Sequence, residues 1–298
     1  MTRAAPPRRL VFLGTPEMAV PPLRALVAAG FDVALVISRV DKRRGRGSQL
    51  MPSPVKAAAL ELGLPVSHSV DDALDAGADL GVVVAFGQLI KPHVLEALPM
   101  VNVHFSLLPR WRGAAPVERA LLAGDNETGV CLMQLEEGLD TGPVYACEVV
   151  PIEATTTAAD IRRTLVDVGT RLLVDELRAG LGTPRPQVGE PTYAAKLRAD
   201  ELQIDWTKSP TDIDRLVRLG GAWTTLHGRR LRVVSAELID LAAEVTNELH
   251  LDRVGGLRLV TVQPEGRAPM SFDAFARGAH LAVVEALGPS DVRRVASS

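Results

Sequence analysis

Short apolar runs alternate with amphipathic stretches along the first half of the chain. The apolar runs end at glycine, proline or charged residues, which is the pattern of buried strands. The predicted strands are residues 9–13, 31–38, 79–86, 100–106, 128–135 and 144–150. The predicted helices between them are residues 16–29, 54–62, 91–98 and 116–123, the first of them capped by the Thr15 hydroxyl. This alternation predicts an α/β protein with a Rossmann-like open sheet, mostly parallel, and helices on both faces.

The pattern changes after a long predicted helix at residues 157–180. Residues 182–191 hold three prolines and two glycines and are typical of a linker. One short helix follows at 210–219, and short β-like runs at 231–234, 257–262 and 281–284 favour a small barrel. We therefore expect a catalytic domain at 1–183, a linker at 184–200 and a C-terminal domain at 201–298.

Composition narrows the class of protein. Of 298 residues, 47% are hydrophobic and 23% are charged, which is typical of a globular chain and excludes a disordered one. No run approaches the roughly 18 apolar residues of a membrane span, so we expect a soluble cytoplasmic protein. Cys131 and Cys147 lie far apart in sequence, and we expect two unpaired strand residues. Neither they nor the six histidines show metal-ligand spacing, so no metal is expected.

The net charge of −3 carries no global signature of nucleic-acid binding, but the charge is unevenly distributed. Residues 39–56 contain six cations and one anion, with glycines interspersed. The cations are Arg39, Lys42, Arg43, Arg44, Arg46 and Lys56. Such a segment is either a solvated surface loop or a contact to a phosphate backbone.

Asn102, His104 and Ser106 occupy alternate positions of one predicted strand and therefore share a face. Ligands of open α/β sheets bind beyond the carboxyl ends of the strands, where this strand ends. An amide beside an imidazole can hold an oxyanion and move a proton. Single polar residues in strands are more often structural, so the residues alone leave both alternatives open.

Asp140 lies between Gly138 and Gly142 in a second candidate segment. Its carboxylate could orient an imidazole or a water, or could simply form an Asx turn. Asp-Thr-Gly is also the aspartic-protease tripeptide, but that chemistry needs two carboxylates on an all-β scaffold. Gly14 alone does not make the three-glycine dinucleotide fingerprint.

The run NVHFSLLPRWRGAAP from Asn102 to Pro116 closely resembles the signature of the 10-formyltetrahydrofolate-dependent formyltransferases. The resemblance continues through ERALLAGDNETGVCLMQLEEGLDTGPVY and upstream in VFLGTPEMAV and GRGSQLMPSPVK. Downstream, TYAAKL and GAWTTLHGRRLRV resemble the C-terminal domain of the same family, which resembles an OB fold.

The resemblance implies roles for individual residues. It makes Asn102, His104 and Asp140 the catalytic trio. It assigns folate binding to two loops, with residues Phe86, Gly87, Gln88 and Leu89, and Ser106, Leu107, Leu108 and Pro109. It assigns tRNA binding to Lys42, Arg43, Arg44 and Arg46 of the basic segment.

The implied activity is transfer of the formyl group of 10-formyltetrahydrofolate, as co-substrate, to the α-amine of methionine on initiator Met-tRNA. The protein would bind the acceptor arm of that tRNA, need no metal, make no membrane contact and act as a monomer. The alternative within the family is a sugar-nucleotide formyltransferase with the same folate donor. A non-catalytic RNA-binding protein on this scaffold would not need the intact trio.

Overall fold

A computed structural model describes residues 3–43, 50–226, 228–239, 253–254 and 256–279. Its strands, in chain order, are β1 (Arg9–Gly14), β2 (Asp32–Ile37), β3 (Lys42–Arg43), β4 (Leu50–Met51), β5 (Val66–Ser67), β6 (Leu80–Val84), β7 (Met100–His104), β8 (Arg112–Gly113), β9 (Glu127–Gln134), β10 (Val144–Pro151), β11 (Tyr193–Ala194), β12 (Trp223–Leu226), β13 (Arg229–Leu238), β14 (Arg253–Val254), β15 (Leu257–Pro264) and β16 (Met270–Ser271). Its helices are α1 (Val20–Ala28), α2 (Pro54–Glu61), α3 (Pro92–Ala97), α4 (Pro116–Ala123), α5 (Ala158–Ala179), α6 (Pro210–Leu219) and α7 (Phe272–Gly278).

A seven-stranded sheet with the order β10-β9-β7-β6-β1-β2-β5 organises the first part of the chain. Its strands β1, β2, β5, β6 and β7 run parallel; at one edge β9 is antiparallel to β7, and β10 is antiparallel to β9. All residues of β6 and β7 are buried, as expected for central strands covered on both faces. The predicted Rossmann-like open sheet is confirmed, with the two-residue strand β5 added.

Serine caps explain where several helices begin. Ser53, Ser209 and Ser271 stand immediately before α2, α6 and α7, and each side chain accepts a hydrogen bond from the backbone N–H three residues further on. These bonds satisfy N–H groups that have no partner inside the helix. The predicted helices 54–62, 157–180 and 210–219 are confirmed to within one residue at each end.

The first helix departs from its prediction. A 3₁₀ turn at Glu17–Ala19 precedes α1, and Thr15 does not cap it. Pro21 and Pro22 lack backbone N–H groups and fit only in the first turn of an α-helix, so α1 cannot begin earlier than Val20. The Thr15 hydroxyl instead donates to the carbonyl oxygen of Phe86 at 3.1 Å.

The expectation of two unpaired cysteines is wrong. Cys131 on β9 and Cys147 on β10 are direct cross-strand partners, with Cα atoms 4.2 Å apart, and they form a disulfide. The two cysteines are 16 residues apart in the sequence, so the sequence alone does not indicate that they are close. The β9–β10 hairpin brings the two positions into register.

The chain divides into two compact units. The first comprises Met1–Ala120, Asn126–Ile152 and Asp160–Lys196, and the second comprises Leu121–Asp125, Glu153–Ala159 and Leu197–Ser298. The second unit contains an antiparallel sheet of order β12-β13-β15-β14, with β16 paired to β15. Its core includes Trp206, whose indole N–H donates to the Thr224 hydroxyl at 3.0 Å.

Two predictions about the C-terminal part go beyond these observations. A closed barrel resembling an OB fold stays a prediction, since the structure shows an antiparallel sheet. The predicted strand at 281–284 lies outside the described residues. Across the described residues, no helix is both long enough and apolar enough to cross a membrane.

A substitution at Gly129 on β9 can test how tightly the sheet is packed. A Cβ atom there would lie 2.3 Å from the Glu148 carbonyl oxygen and 2.4 Å from Leu107 Cδ2. We expect Gly129→Ala to lower the free energy of unfolding by about 1–3 kcal/mol, measured by denaturant titration. Gly182→Ala is the matched control, because nothing lies within 4 Å of the added atom. Equal stabilities for the two variants would contradict this packing.

Candidate active site

Two buried polar side chains project from the last half of β7. Asn102 is 9% exposed and His104 is 5% exposed, and their alternate positions place them on one face of the strand. The Asn102 amide forms no hydrogen bond with any of the residues that the structure describes. The Asn102 amide atoms are not fully buried, so the amide is available to a ligand.

His104 has a different partner at each ring nitrogen. Nε2 lies 3.0 Å from the Trp111 carbonyl oxygen, and Nδ1 lies 3.6 Å from Asp140 Oδ2. A carbonyl oxygen can only accept, so Nε2 carries a proton. The Nδ1 separation exceeds ordinary hydrogen-bond length, which leaves Nδ1 available to another group while the carboxylate stays close.

Asp140 reaches the imidazole through a loop that doubles back. Strand β9 runs antiparallel to β7, with Gln134 opposite Val101 and Cys131 opposite His104. The C-terminal end of β9 therefore lies at the start of β7, and the following loop must return along the sheet for Asp140 to meet His104. Gly142 permits this return, since a Cβ there would lie 2.0 Å from the Gln134 carbonyl oxygen.

The backbone at Asp140 is strained. Its φ is +50°, a left-handed conformation that costs a residue other than glycine of the order of 1–2 kcal/mol. Asp140 Oδ2 accepts a hydrogen bond from the Gly113 backbone N–H at 2.8 Å. This bond fixes the carboxylate on the side that faces His104. Strained residues cluster where structure serves a ligand or a reaction.

The loop after β7 supplies the other wall of the site. Trp111 has a φ of +64°, and its carbonyl oxygen is the one that faces His104 Nε2. Ser106 is wholly buried, and its hydroxyl donates to the Arg110 carbonyl oxygen at 2.6 Å. Ser106 therefore shapes the loop from inside, while Leu107, Leu108 and Pro109 are partly exposed.

The loop that follows β6 lies next to the end of β7, because β6 and β7 are neighbouring strands of the sheet. Ala85 has a φ of +46°, and the Phe86 side chain is buried. Gly87, Gln88 and Leu89 are exposed, and Leu89 is 80% exposed although it is apolar. Parallel strands β6 and β7 end at the same edge, so the structure brings both predicted folate loops to that edge.

The structure describes two of the four cations that were predicted to bind tRNA. Lys42 and Arg43 are exposed on β3, which pairs with β4 in a short antiparallel ladder. Arg44 and Arg46 lie outside the described residues. Lys56, the last cation of the segment, is held by both carboxylate oxygens of Asp41 at 2.8 and 2.9 Å.

Several contacts around the site were not predicted from the sequence. Gln187 bonds to Arg112 and to the Asp140 loop, and the Thr192 hydroxyl accepts from the Trp111 backbone N–H at 2.9 Å. Both residues come from the stretch predicted as a linker, which carries no signal for such contacts. Tyr145 donates to Gln134 at 3.3 Å, and burial raises the pKa of this phenol, which keeps it a donor at neutral pH.

An open α/β sheet that presents an amide, an imidazole and a carboxylate at the end of a central strand defines a class of enzymes equipped for proton transfer and oxyanion stabilisation. Residues 8–177 match the formyl transferase family model, and residues 196–280 match the model of the formyl transferase C-terminal domain. The chain therefore belongs to the formyltransferase family.

Similar sequences extend over both parts of the chain. The methionyl-tRNA formyltransferase of Roseobacter denitrificans is 44% identical over 294 residues, which cover 91% of this chain and 95% of that protein. The methionyl-tRNA formyltransferase of Ruegeria pomeroyi is 41% identical over 292 residues, which cover 91% of this chain and 97% of that protein.

Solved structures share the fold at lower sequence identity. An N-formyltransferase from Helicobacter canadensis, in complex with folinic acid and dTDP-3-aminofucose, matches with a TM-score of 0.66 and 18% identity, over 86% of this chain and 98% of that one. HypX from Aquifex aeolicus, in complex with tetrahydrofolic acid, matches with a TM-score of 0.60 and 17% identity, over 91% of this chain. This chain spans 47% of the HypX chain.

Proposed function

We propose that this protein transfers the formyl group of 10-formyltetrahydrofolate to the α-amine of methionine carried by initiator tRNA. The observation that carries the proposal is the 44% identity, over nearly the full length of both chains, to a methionyl-tRNA formyltransferase. The convergence of Asn102, His104 and Asp140 at the end of β7 supplies the chemistry that such a transfer needs.

The reaction sets the requirements for the site. The methionine amine attacks the formyl carbon, a C–N bond forms, and the bond from that carbon to N10 of the folate breaks. The amine loses a proton and N10 gains one. Negative charge develops on the formyl oxygen in between, so the site must hold an oxyanion and pass a proton.

The three side chains divide this work. The free Asn102 amide donates to the oxyanion. His104 keeps its Nε2 proton on the Trp111 carbonyl oxygen and offers Nδ1–H to the reacting atoms. Asp140 stabilises the imidazolium and takes part in moving the proton, at a distance of 3.6 Å that leaves room for a substrate group or water to approach Nδ1.

The folate would lie along the edge where β6 and β7 end. Phe86, Gly87, Gln88 and Leu89 form one wall, and Ser106, Leu107, Leu108 and Pro109 form the other. Exposed apolar Leu89 and the partly exposed leucines fit a flat aromatic pterin, whose burial needs such surfaces. Ser106 contributes through the loop that it holds, because its own side chain is buried.

The tRNA would be bound through cations in each of the two units. In the first unit, Lys42 and Arg43, followed along the chain by Arg44 and Arg46, would contact the acceptor arm. In the second unit, Arg229, Arg230 and Arg267 line a cavity of about 550 Å³, which Glu265 also borders. Arg230 stacks on Trp223 at 4.3 Å. Clustered cations of this kind suit phosphate groups.

The remaining attributes follow from this activity. We propose that the protein is cytoplasmic, since tRNA and the folate pool occur in that compartment. We also propose that it is a monomer, since all residues of the proposed site belong to one chain. We also propose the division into a catalytic domain at 1–183, a linker at 184–200 and a tRNA-binding domain at 201–298, with the first part of the linker hydrogen-bonded to the catalytic domain. No step of the proposed chemistry calls for a metal.

Acceptor choice tests the proposal directly. Purified protein would be mixed with 10-formyltetrahydrofolate and offered charged initiator Met-tRNA and an amino-sugar nucleotide in parallel, under single-turnover conditions. We expect formyl-methionine on the tRNA and no formylated sugar. Transfer to the sugar alone would establish the alternative function, and transfer to neither would contradict both.

The proposed trio predicts large kinetic losses without loss of fold. Asn102→Ala and His104→Ala should each lower the single-turnover rate by about 100- to 1000-fold, because each removes a donor to the developing charge. Asp140→Ala should also abolish most turnover. His93→Ala is the matched control, since His93 pairs with Asp71 at 2.6 Å on the exposed surface. Near-normal rates in all three site variants would refute the roles assigned to them.

The basic segment predicts a salt-dependent effect. Arg46→Ala should raise KM for Met-tRNA and reduce the slope of log binding constant against log salt by roughly 0.7–0.9 for each phosphate that the variant no longer neutralises. The KM for the folate should stay unchanged. Arg24→Ala, which removes a surface cation that pairs with Glu61 on α2, serves as the control. An unaltered KM for Met-tRNA in Arg46→Ala would exclude this arginine from tRNA binding.

A further inference from the structure

Residues 185–194 form a strap across the loops that build the candidate site, and we define the strap by these residues. Arg185 and Val144 exchange two backbone hydrogen bonds of 2.8 Å. At the other end, β11 pairs in parallel with β8, in the loop that follows β7. The strap is therefore anchored at both ends within the first unit.

Gln187 is the inward-facing residue of the exposed part of the strap. The residues at positions 185, 186, 188, 189 and 190 are exposed, whereas Gln187 is partly buried. Its amide nitrogen Nε2 donates to the carbonyl oxygens of Asp140 and Gly142, both at 2.8 Å. Its amide oxygen accepts from Arg112 Nε at 3.1 Å and from Arg112 Nη2 at 2.7 Å.

The chemistry of these partners fixes the orientation of the Gln187 amide. A guanidinium has only donors, so the amide oxygen must face Arg112. The NH₂ group, which has two protons, must then face the two carbonyl oxygens. Gln187 thus uses both ends of its amide to connect the loop after β7 with the loop that carries Asp140.

The Asp140 loop needs such an external restraint. Asp140 has a φ of +50°, and strained conformations persist only where the surroundings determine them. The Gly113 N–H holds the carboxylate of Asp140, while Gln187 holds its backbone carbonyl and that of Gly142. Gly113 holds Asp140 directly, and Arg112 holds Gln187. Because Arg112 and Gly113 are adjacent in β8, both restraints on the Asp140 loop come from the same short strand.

From this network we propose that Gln187 is a positioning residue for formyl transfer, which sets the Asp140 carboxylate against His104 by holding the backbone of the Asp140 loop. The inference rests on the proposed function. Gln187 itself forms no hydrogen bond with His104 or Asn102 within the described part of the chain, so its influence on the reaction passes through Asp140.

Two substitutions test the role in different ways. Gln187→Ala removes all four hydrogen bonds. Gln187→Glu keeps the size and the bonds from Arg112 but turns a carboxylate oxygen toward two carbonyl oxygens. We expect both to lower kcat by about 10- to 100-fold, because a shift of about 1 Å in a reacting group costs this much. The KM values for folate and Met-tRNA should stay within about twofold.

A double-mutant cycle separates positioning from a general structural role. If Gln187 acts through Asp140, Gln187→Glu should cause no further loss of the single-turnover rate in the Asp140→Ala background. Val188→Glu is the matched control, since it adds the same charge one residue away on a side chain that is 87% exposed, and its kcat should stay normal. The same relative loss in both backgrounds would overturn the proposal.

Hydrogen exchange gives a second measurement that does not depend on catalysis. Gln187→Ala and Asp140→Ala should both speed hydrogen exchange at the Gly113 backbone N–H, which donates a hydrogen bond to the Asp140 carboxylate. Unchanged exchange in Gln187→Ala, or a normal kcat in folded Gln187→Glu, would overturn the proposal. If wild-type protein formylates no Met-tRNA, the proposed function fails, and exchange at Gly113 still decides whether Gln187 holds the Asp140 loop.

Discussion

The hydrogen bond from the Gly113 backbone N–H to the Asp140 carboxylate joins two loops that leave the sheet from different strands. Each loop contains a residue other than glycine in the left-handed region, Trp111 in one and Asp140 in the other. Such conformations cost of the order of 1–3 kcal/mol each, so neither loop would adopt its shape alone. The bond between them makes each loop part of the support of the other.

This mutual support has a consequence for His104. Its two ring nitrogens face one group from each loop, the Trp111 carbonyl oxygen and the Asp140 carboxylate. A change that relaxed either loop would move the group that faces one of these nitrogens. The strain is therefore located where it holds both groups that face the imidazole in place, which would reduce the reorganisation needed during the proposed reaction.

The sequence predicted the sheet, most helices and the shared face of Asn102 and His104, but not how the loops around these residues are connected. Asn102 and His104 could be placed on one face because strand geometry alternates side chains. The contact with Asp140 depends on the direction of β9, which local hydrophobicity does not encode. The Cys131–Cys147 pair and the anchoring of Gln187 are equally non-local, since each joins positions that are separate in sequence and adjacent only in the folded sheet. Pro21 and Pro22, by contrast, were local signals that outweighed the Thr15 cap.

The low overall charge of the chain does not conflict with a tRNA substrate. At physiological ionic strength the Debye length is about 8 Å, so a phosphate responds to the charges in its immediate surroundings. Residues 39–56 contain six cations and one anion, and three arginines border one cavity of the second unit. Formyl transfer and tRNA binding therefore place different demands on the structure. The proposed trio would need positions fixed to fractions of an ångström and is held by a buried sheet with two linked loops, whereas the proposed phosphate contacts would tolerate long, exposed side chains.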